Sequence, residues 1–233
     1  MAEVQRLLNG NIEIRFTVPW ADIQKARDHA VDHAVAESQI EGFRKGRAPR
    51  HLVEPKLDQN KLLTTAIQEL LPKAYSSIIA HHNLHPILNP KITITSGQTN
   101  QDWQFTAMTC EAPSVTLPHY KIGIPKLPKD PVEGRLDRTV DYLRREAKVL
   151  VPDLLVEEEA NHRLAALIDN VSRLGLTIDG YLSAKKLDPE SLKAQTAAEA
   201  RLALEVEFTL GRLQEEEKLP DRKSVLDFLQ KLV

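Results

Sequence analysis

Six side chains have types and spacings that invite metal or nucleophilic chemistry. His29 and His33 stand four apart, as two ligands on one helix face would, and His81, His82 and His85 cluster further along, while Cys110 is the single cysteine. A zinc site needs four protein ligands, or three and a water, at characteristic spacing. No HExxH run accompanies the histidine pair and Cys110 stands alone, so we read the histidines as solvated helix-surface residues and expect no metal and no other cofactor. Ser76, Ser77 and Cys110 lie in no nucleophile elbow and have no paired base nearby in sequence. The acidic runs Glu157–Glu159 and Glu215–Glu217 read as an opening helical turn, where the helix dipole favours negative charge, and as a solvated helix end.

One stretch remains. Residues 42–49, GFRKGRAP, bring together Gly42, Phe43, Arg44, Lys45, Gly46, Arg47 and Pro49, with a further cation at Arg50 and no carboxylate among them. Cations of this kind engage phosphates or carboxylates, the arginines with fork geometry. The plain alternative is a helix–helix connection that is basic by accident. Against it, Phe43 is costly to expose in a mere connector, and two glycines allow tight turns on either side of it. The stretch has no GK[ST] and follows a helical segment, so it is not a phosphate-binding P-loop.

The elements that position this loop follow from periodicity. Residues 11–18, NIEIRFTV, alternate strictly and predict a half-buried strand, ended by Pro19. Trp20 to about Glu37 predicts a helix. After the loop come a short helical piece and a long helix from about Asp58 to His82, which Pro72 should kink or restart. Residues 91–95 and 103–110 alternate again and predict two strands. Residues 1–112 thus predict an α+β domain with helices on a small antiparallel sheet. Five prolines between 113 and 131 predict an extended, semi-rigid linker. Residues 132–233 predict an all-helical domain, with an antiparallel pair of helices before Gly175 and a long helix from Asp188-Pro189 to about Lys218. Leu202, Val206, Leu210 and Leu213 form one stripe of that long helix, whereas Leu204 and Phe208 fall on nearly the opposite side. An element apolar on two sides is sandwiched or faces a partner. A last apolar helix is expected from Ser224 to Leu232.

Bulk properties narrow the partners. The chain has 233 residues, 42% of them hydrophobic, enough for one or two cores, and a net charge of −2 that argues against nucleic-acid binding by global electrostatics. An anionic partner must therefore be met by a local patch. The single cysteine suits a reducing compartment, and no apolar run spans a bilayer, so a cytoplasmic location and no membrane partner are expected.

GFRKGRAP followed by HLVE resembles the ribosome-docking signature of the trigger factor family, bacterial chaperones at the nascent-chain exit tunnel. NIEIRFTVP, ELLPKAYSSIIAHHNLHPILNPKI and TCEAPSVTLPHY are similar to that family's N-terminal domain. VPDLLVEEEANHRLAALIDNVSRLGLTIDGYL and LKAQTAAEARLALEVEFTLGRLQEEEKL resemble helices of its C-terminal domain. The resemblance implies that Phe43, Arg44 and Lys45 are the main docking residues, meeting a tunnel-exit protein of the large ribosomal subunit and adjacent rRNA. Arg47 stands where the family usually has Lys, and Ala48 where a β-branched residue is common. Nascent or unfolded polypeptides are the implied clients, held without ATP by apolar side chains of the helical domain; Leu204, Phe208, Val225, Phe228 and Leu229 are the residues nominated.

The departure from the pattern is equally informative. Full-length members carry an FKBP-like prolyl isomerase domain between the two parts, and too few residues intervene here for one. Isomerase activity is therefore not carried over, and no enzymatic function is expected. An adaptor that binds one folded partner and uses the loop only as a tether is the competing expectation. A homodimer off the ribosome would account for a helix apolar on two sides.

Overall fold

The structure, a computed structural model, describes residues 2–128 and 133–232. The chain divides into two units, residues 1–6 with 12–109 and residues 7–11 with 110–233.

In the first unit a four-stranded antiparallel sheet forms from β1 (Ala2–Arg6), β2 (Asn11–Val18), β3 (Lys91–Ser96) and β4 (Trp103–Cys110), in the order β1-β2-β4-β3. The alternation read in the sequence of β2 holds: Ile12, Ile14, Phe16 and Val18 are buried. Val4 pairs with Ile14 across β1–β2, and Ile92 with Ala107 across β3–β4. Phe16 and Phe105 stack with ring centroids 5.5 Å apart, at the centre of a cluster completed by Ile23, Leu84 and Trp103. Strand β1 is absent from the periodicity reading because AEVQR offers two small apolar residues and no alternation strong enough to register.

Helix α1 (Trp20–Glu37) packs on the long α3 (Gln59–His81), through Ala26, Ala30, Val31, Leu62 and Ala66. Small alanines at the crossing let the two helices approach closely. Between them lies α2 (Arg50–Val53), followed by a single 3₁₀ turn at Glu54–Lys56. Asp58 caps α3, accepting from the Asn60 and Lys61 amides. Pro72 sits inside one continuous helix rather than starting a new one. The missing amide costs one backbone bond, offset by the packing of Leu70, Leu71, Ala74 and Tyr75 on the sheet core.

The second unit departs from expectation between 113 and 128. Instead of an extended linker, the segment holds β5 (Val115–Thr116) and α4 (Tyr120–Gly123) with a 3₁₀ turn at Ile124–Lys126. Tyr120 and Ile124 are buried in the second core. Pro113, Pro118 and Pro128 tolerate this because they lie outside the helical turns and the strand, and Pro125 sits in the first turn of the 3₁₀ turn, where no amide is needed. The expected linker end at 131–132 lies outside the described residues.

The remaining elements are α5 (Arg135–Glu146), β6 (Lys148–Val149), α6 (Asp153–Arg173), α7 (Ile178–Lys185), α8 (Pro189–Glu216) and α9 (Arg222–Leu232). Strand β6 pairs antiparallel with β5, so the region after 132 is not wholly helical. Nor do α5 and α6 form the expected pair: α6 packs on the first half of α8 through Val156, Ala160 and Ala200, and α5 on the second half through Leu143, Leu210 and Leu213. Asp188 caps α8 by accepting from the Ser191 amide, with Pro189 in the first turn as expected. Gly175, at φ +72°, closes α6.

The solvated acidic run read at the end of α8 holds for Glu215 and Glu216, which are exposed, but not for Glu217, which is half-buried. The Tyr120 hydroxyl donates to both Glu217 and Glu216, and Lys121 Nζ lies 2.7 Å from Glu217 Oε1. The Lys121 ammonium first, then the Tyr120 hydroxyl, hold the Glu217 carboxyl below its usual range. A depressed carboxyl stabilises the fold above its unfolded value near ~4.3 and loses that contribution as pH falls through the folded value. Burial, reinforced by Glu217, raises Tyr120, so its contribution is lost instead above about pH 10. Glu217→Gln is expected to cost about 1–2 kcal/mol in urea unfolding at pH 7. The gap between variant and wild type should begin to narrow as pH falls below about 4.3 and close once it passes the depressed folded value; a gap that does not narrow with acid would contradict the assignment.

Candidate functional site: the 38–50 loop

Residues 38–49 connect α1 to α2 through two consecutive tight turns. Phe43 N donates to Ile40 O at 3.0 Å, and Arg47 N donates to Arg44 O at 2.9 Å. Gly42 and Gly46 take the third position of these turns with φ of +85° and +70°, the place that type II turns reserve for glycine. The neck is closed where Gly46 N donates to Ser38 O at 3.0 Å, while the Ser38 hydroxyl donates back to Val35 O at the end of α1. Ala48 is buried, so the smaller residue at this place packs inward.

The two glycines are not equivalent. A Cβ on Gly42 would meet open space, whereas one on Gly46 would lie 2.4 Å from the carbonyl oxygen of Ala36. Gly42→Ala therefore carries only backbone strain, about 1–3 kcal/mol, while Gly46→Ala adds a collision with a backbone atom that cannot rotate away. Trypsin cleavage after Arg44 and Lys45 should accelerate much more for Gly46→Ala than for Gly42→Ala. Equal acceleration would show that the neck contact does not hold the loop.

Phe43 is 41% exposed at the tip, an unusual exposure for a ring of that size. Arg44, Lys45, Arg47 and Pro49 are exposed too. Among the described residues, none of the three cations makes an ion pair or side-chain hydrogen bond. Arg50 differs. Its guanidinium donates to Asp28, Asp32 and Glu54, so it is no free loop cation as its position in sequence suggested. Sequence reading missed these three carboxylates, although Asp28/Asp32 and Arg50/Glu54 each have the i, i+4 spacing that places two side chains on one helix face.

The apolar residues nominated on the helical unit divide by burial. Val225 and Leu229 are fully buried in the second core and offer no surface, which corrects their nomination. Four apart on α9, they share the face that packs against Leu210 and Leu213 of α8. Leu204, Phe208 and Phe228 are half-buried. Phe228 meets Tyr120 edge-on at 6.5 Å, and Leu204 borders the Ala160–Ala200 cluster. Phe208 lines an open cleft of about 500 Å³ with Pro113, Val115, Gly211 and Arg212. Ile168, Leu174, Leu176 and Leu202 are exposed on the same unit, Leu202 at the start of the apolar stripe read along α8.

The histidines stay apart from any ligand set: no group of three or more His, Cys, Asp or Glu side chains is gathered among the described residues. His33 faces Glu37 at 3.9 Å, and His81 and His82 touch edge-on. Among the described residues no helix is long and apolar enough to cross a membrane.

These features define an α+β unit that presents an ordered cationic loop, joined to a helical unit with exposed apolar side chains. The family model described as bacterial trigger factor protein matches residues 1–143, and that for the trigger factor C-terminus matches residues 133–222, so the chain belongs to the bacterial trigger factor family. The two matches overlap and leave no segment between them. The chain is similar to the trigger factor of Streptococcus agalactiae, 35% identical over 108 residues, which is 46% of this chain and 25% of that one. It is also similar to that of Mycolicibacterium smegmatis, 30% identical over 130 residues, 56% of this chain and 27% of the other. The matched stretch thus spans about a quarter of the length of these curated relatives. A solved structure of the trigger factor chaperone is similar at 22% identity and a TM-score of 0.38, over 60% of this chain and 33% of that one; at that level it carries no argument.

Proposed function

We propose that the protein is an ATP-independent chaperone that docks on the large ribosomal subunit through the 42–49 loop and shields nascent or unfolded chains. The observation that carries the reading is the loop itself: an exposed phenylalanine and three cations, unpaired among the described residues, on a tip ordered by two glycine turns. Order before contact lowers the entropy cost of docking, and an aromatic anchor flanked by cations suits a surface of protein and RNA. On this reading Phe43, Arg44 and Lys45 make the main contacts to a tunnel-exit protein and neighbouring rRNA, and Arg47 adds charge.

Residues 1–112 serve as the docking part and the helices beyond 132 as the client-holding part. Clients rest on Leu204, Phe208 and Phe228 together with the exposed Ile168, Leu174, Leu176 and Leu202, by many weak apolar contacts. The overlap of the two family matches supports a reading without prolyl isomerase chemistry. Co-sedimentation with large subunits, beside a variant with alanine at 43–45, tests the docking. Suppression of aggregation for several unrelated unfolded proteins tests the holding; capture of one stoichiometric folded partner instead would favour a tethered adaptor.

A further inference from the structure

Arg50 has the sequence position of a docking cation and the geometry of something else. Nη2 lies 2.6 Å from Asp28 Oδ1, Nη1 3.2 Å from Asp32 Oδ1 and Nε 3.0 Å from Glu54 Oε2. All three nitrogens of the fork already donate to carboxylates, so a phosphate reaching for the guanidinium would meet three negative charges and find no nitrogen uncommitted. Isolated surface ion pairs contribute little, but one planar guanidinium shared by three carboxylates is a network with fixed geometry. Asp28 and then Glu54 hold the Arg50 guanidinium above its already high ordinary range.

The placement of the partners matters more than their number. Asp28 and Asp32 lie on α1, the stem that enters the loop; Arg50 and Glu54 lie at the stem that leaves it. Arg27 of α1 also reaches Glu54, at 3.3 Å, and Gln59 of α3, at 2.7 Å. The two stems are thereby tied to each other at the base of a twelve-residue excursion whose neck is closed again by Gly46 and Ser38.

We propose that Arg50 is a positioning residue for the loop: a brace between its two stems that sets the presentation of Phe43, Arg44 and Lys45 without itself touching the partner. The inference rests on the docking reading above for its purpose, though the brace is measurable apart from it. It predicts that the loop brings three cations to an anionic surface and not four.

The test compares wild type, Arg50→Gln, the double variant Asp28→Asn/Asp32→Asn and the 43–45 alanine variant, all in the full chain. Amide hydrogen exchange is followed at Phe43, Gly46 and Arg47, and binding to purified large subunits is titrated over a range of salt. For a brace, both Arg50→Gln and the aspartate double variant speed exchange at the three loop amides while strands β2 and β4 keep their protection. Both weaken binding about three- to tenfold. The slope of log Kd on log salt is unchanged in Arg50→Gln. For a direct contact, Arg50→Gln lowers that slope by about one, and the aspartate double variant, which frees Arg50, tightens binding. Either of those results, or unchanged loop exchange in both variants, overturns the proposal. Wild-type binding by the 43–45 alanine variant would instead overturn the docking reading, and the exchange data would still decide on the brace.

Discussion

Replacing Phe43, Arg44 and Lys45 together by alanine should remove the protein from the large-subunit pellet while leaving its urea unfolding unchanged. The second half of that expectation follows from the loop's geometry. Phe43 is 41% exposed, and neither cation is committed to a partner among the described residues, so truncation takes nothing from either core. Surface changes of this kind shift stability by about 0.5 kcal/mol or less. The first half follows from what the tip offers. A central aromatic anchor is commonly worth about 2 kcal/mol or more in an interface. Each cation lost removes a phosphate contact and one counterion-release term, so binding weakens further and its salt dependence flattens. Together the expected loss is on the order of a hundredfold. Wild-type protein should leave the pellet progressively as salt rises. A triple variant that pellets as well as wild type at every salt concentration would end the docking reading.

The second large effect is expected in the helical unit. Leu213 is fully buried on α8, in a cluster with Leu143, Leu210, Val225 and Leu229. Truncation to alanine leaves a cavity among α5, α8 and α9, and such changes cost about 2–5 kcal/mol. The urea midpoint of the second unit should drop by about 1–2 M, given the usual dependence for domains of this size. The sheet core of the first unit contains none of these residues, so loop docking should survive in the same variant. Aggregation suppression should fall with the helical unit. A cost below ~1 kcal/mol would mean that the second half of α8 is less central than its burial indicates.

Much of the fold could be read from residue pattern, and the reasons are local. Strand β2 and helix α1 have the observed limits because strict alternation, a terminating proline and then small residues at helical spacing act over short range. The cap of α8 is equally local, an aspartate before a proline. What escaped was decided by tertiary contact. Tyr120 and Ile124 sit between prolines that suggest an open connector, yet burial against α8 and α9 folds the segment. Glu217 looked like solvated charge because Lys121 and Tyr120 are nearly a hundred residues away in sequence. Val225 and Leu229 look no different in composition from Phe228, and only the orientation of α9 separates buried from half-buried. At the loop, the glycines, the ring and the cations were legible as a contact surface, but the inward turn of Arg50 depends on where α1 places two aspartates.

Helix α8 runs for 28 residues, about 42 Å, and two separate clusters hang on it: Ala200 with Ala160 and Val156 near its middle, Leu210 and Leu213 with α5 and α9 near its end. No buried residue is shared between those clusters, so the helix behaves like a shaft with two bearings, one at its middle and one towards its end. Slippage at one bearing need not loosen the other. The α6 bearing, built on Ala160 and Ala200, buries less side chain than the α5–α9 bearing and is the one expected to open first. On the chaperone reading proposed above, that uneven grip would give the helical unit a part that lets go of a held chain first.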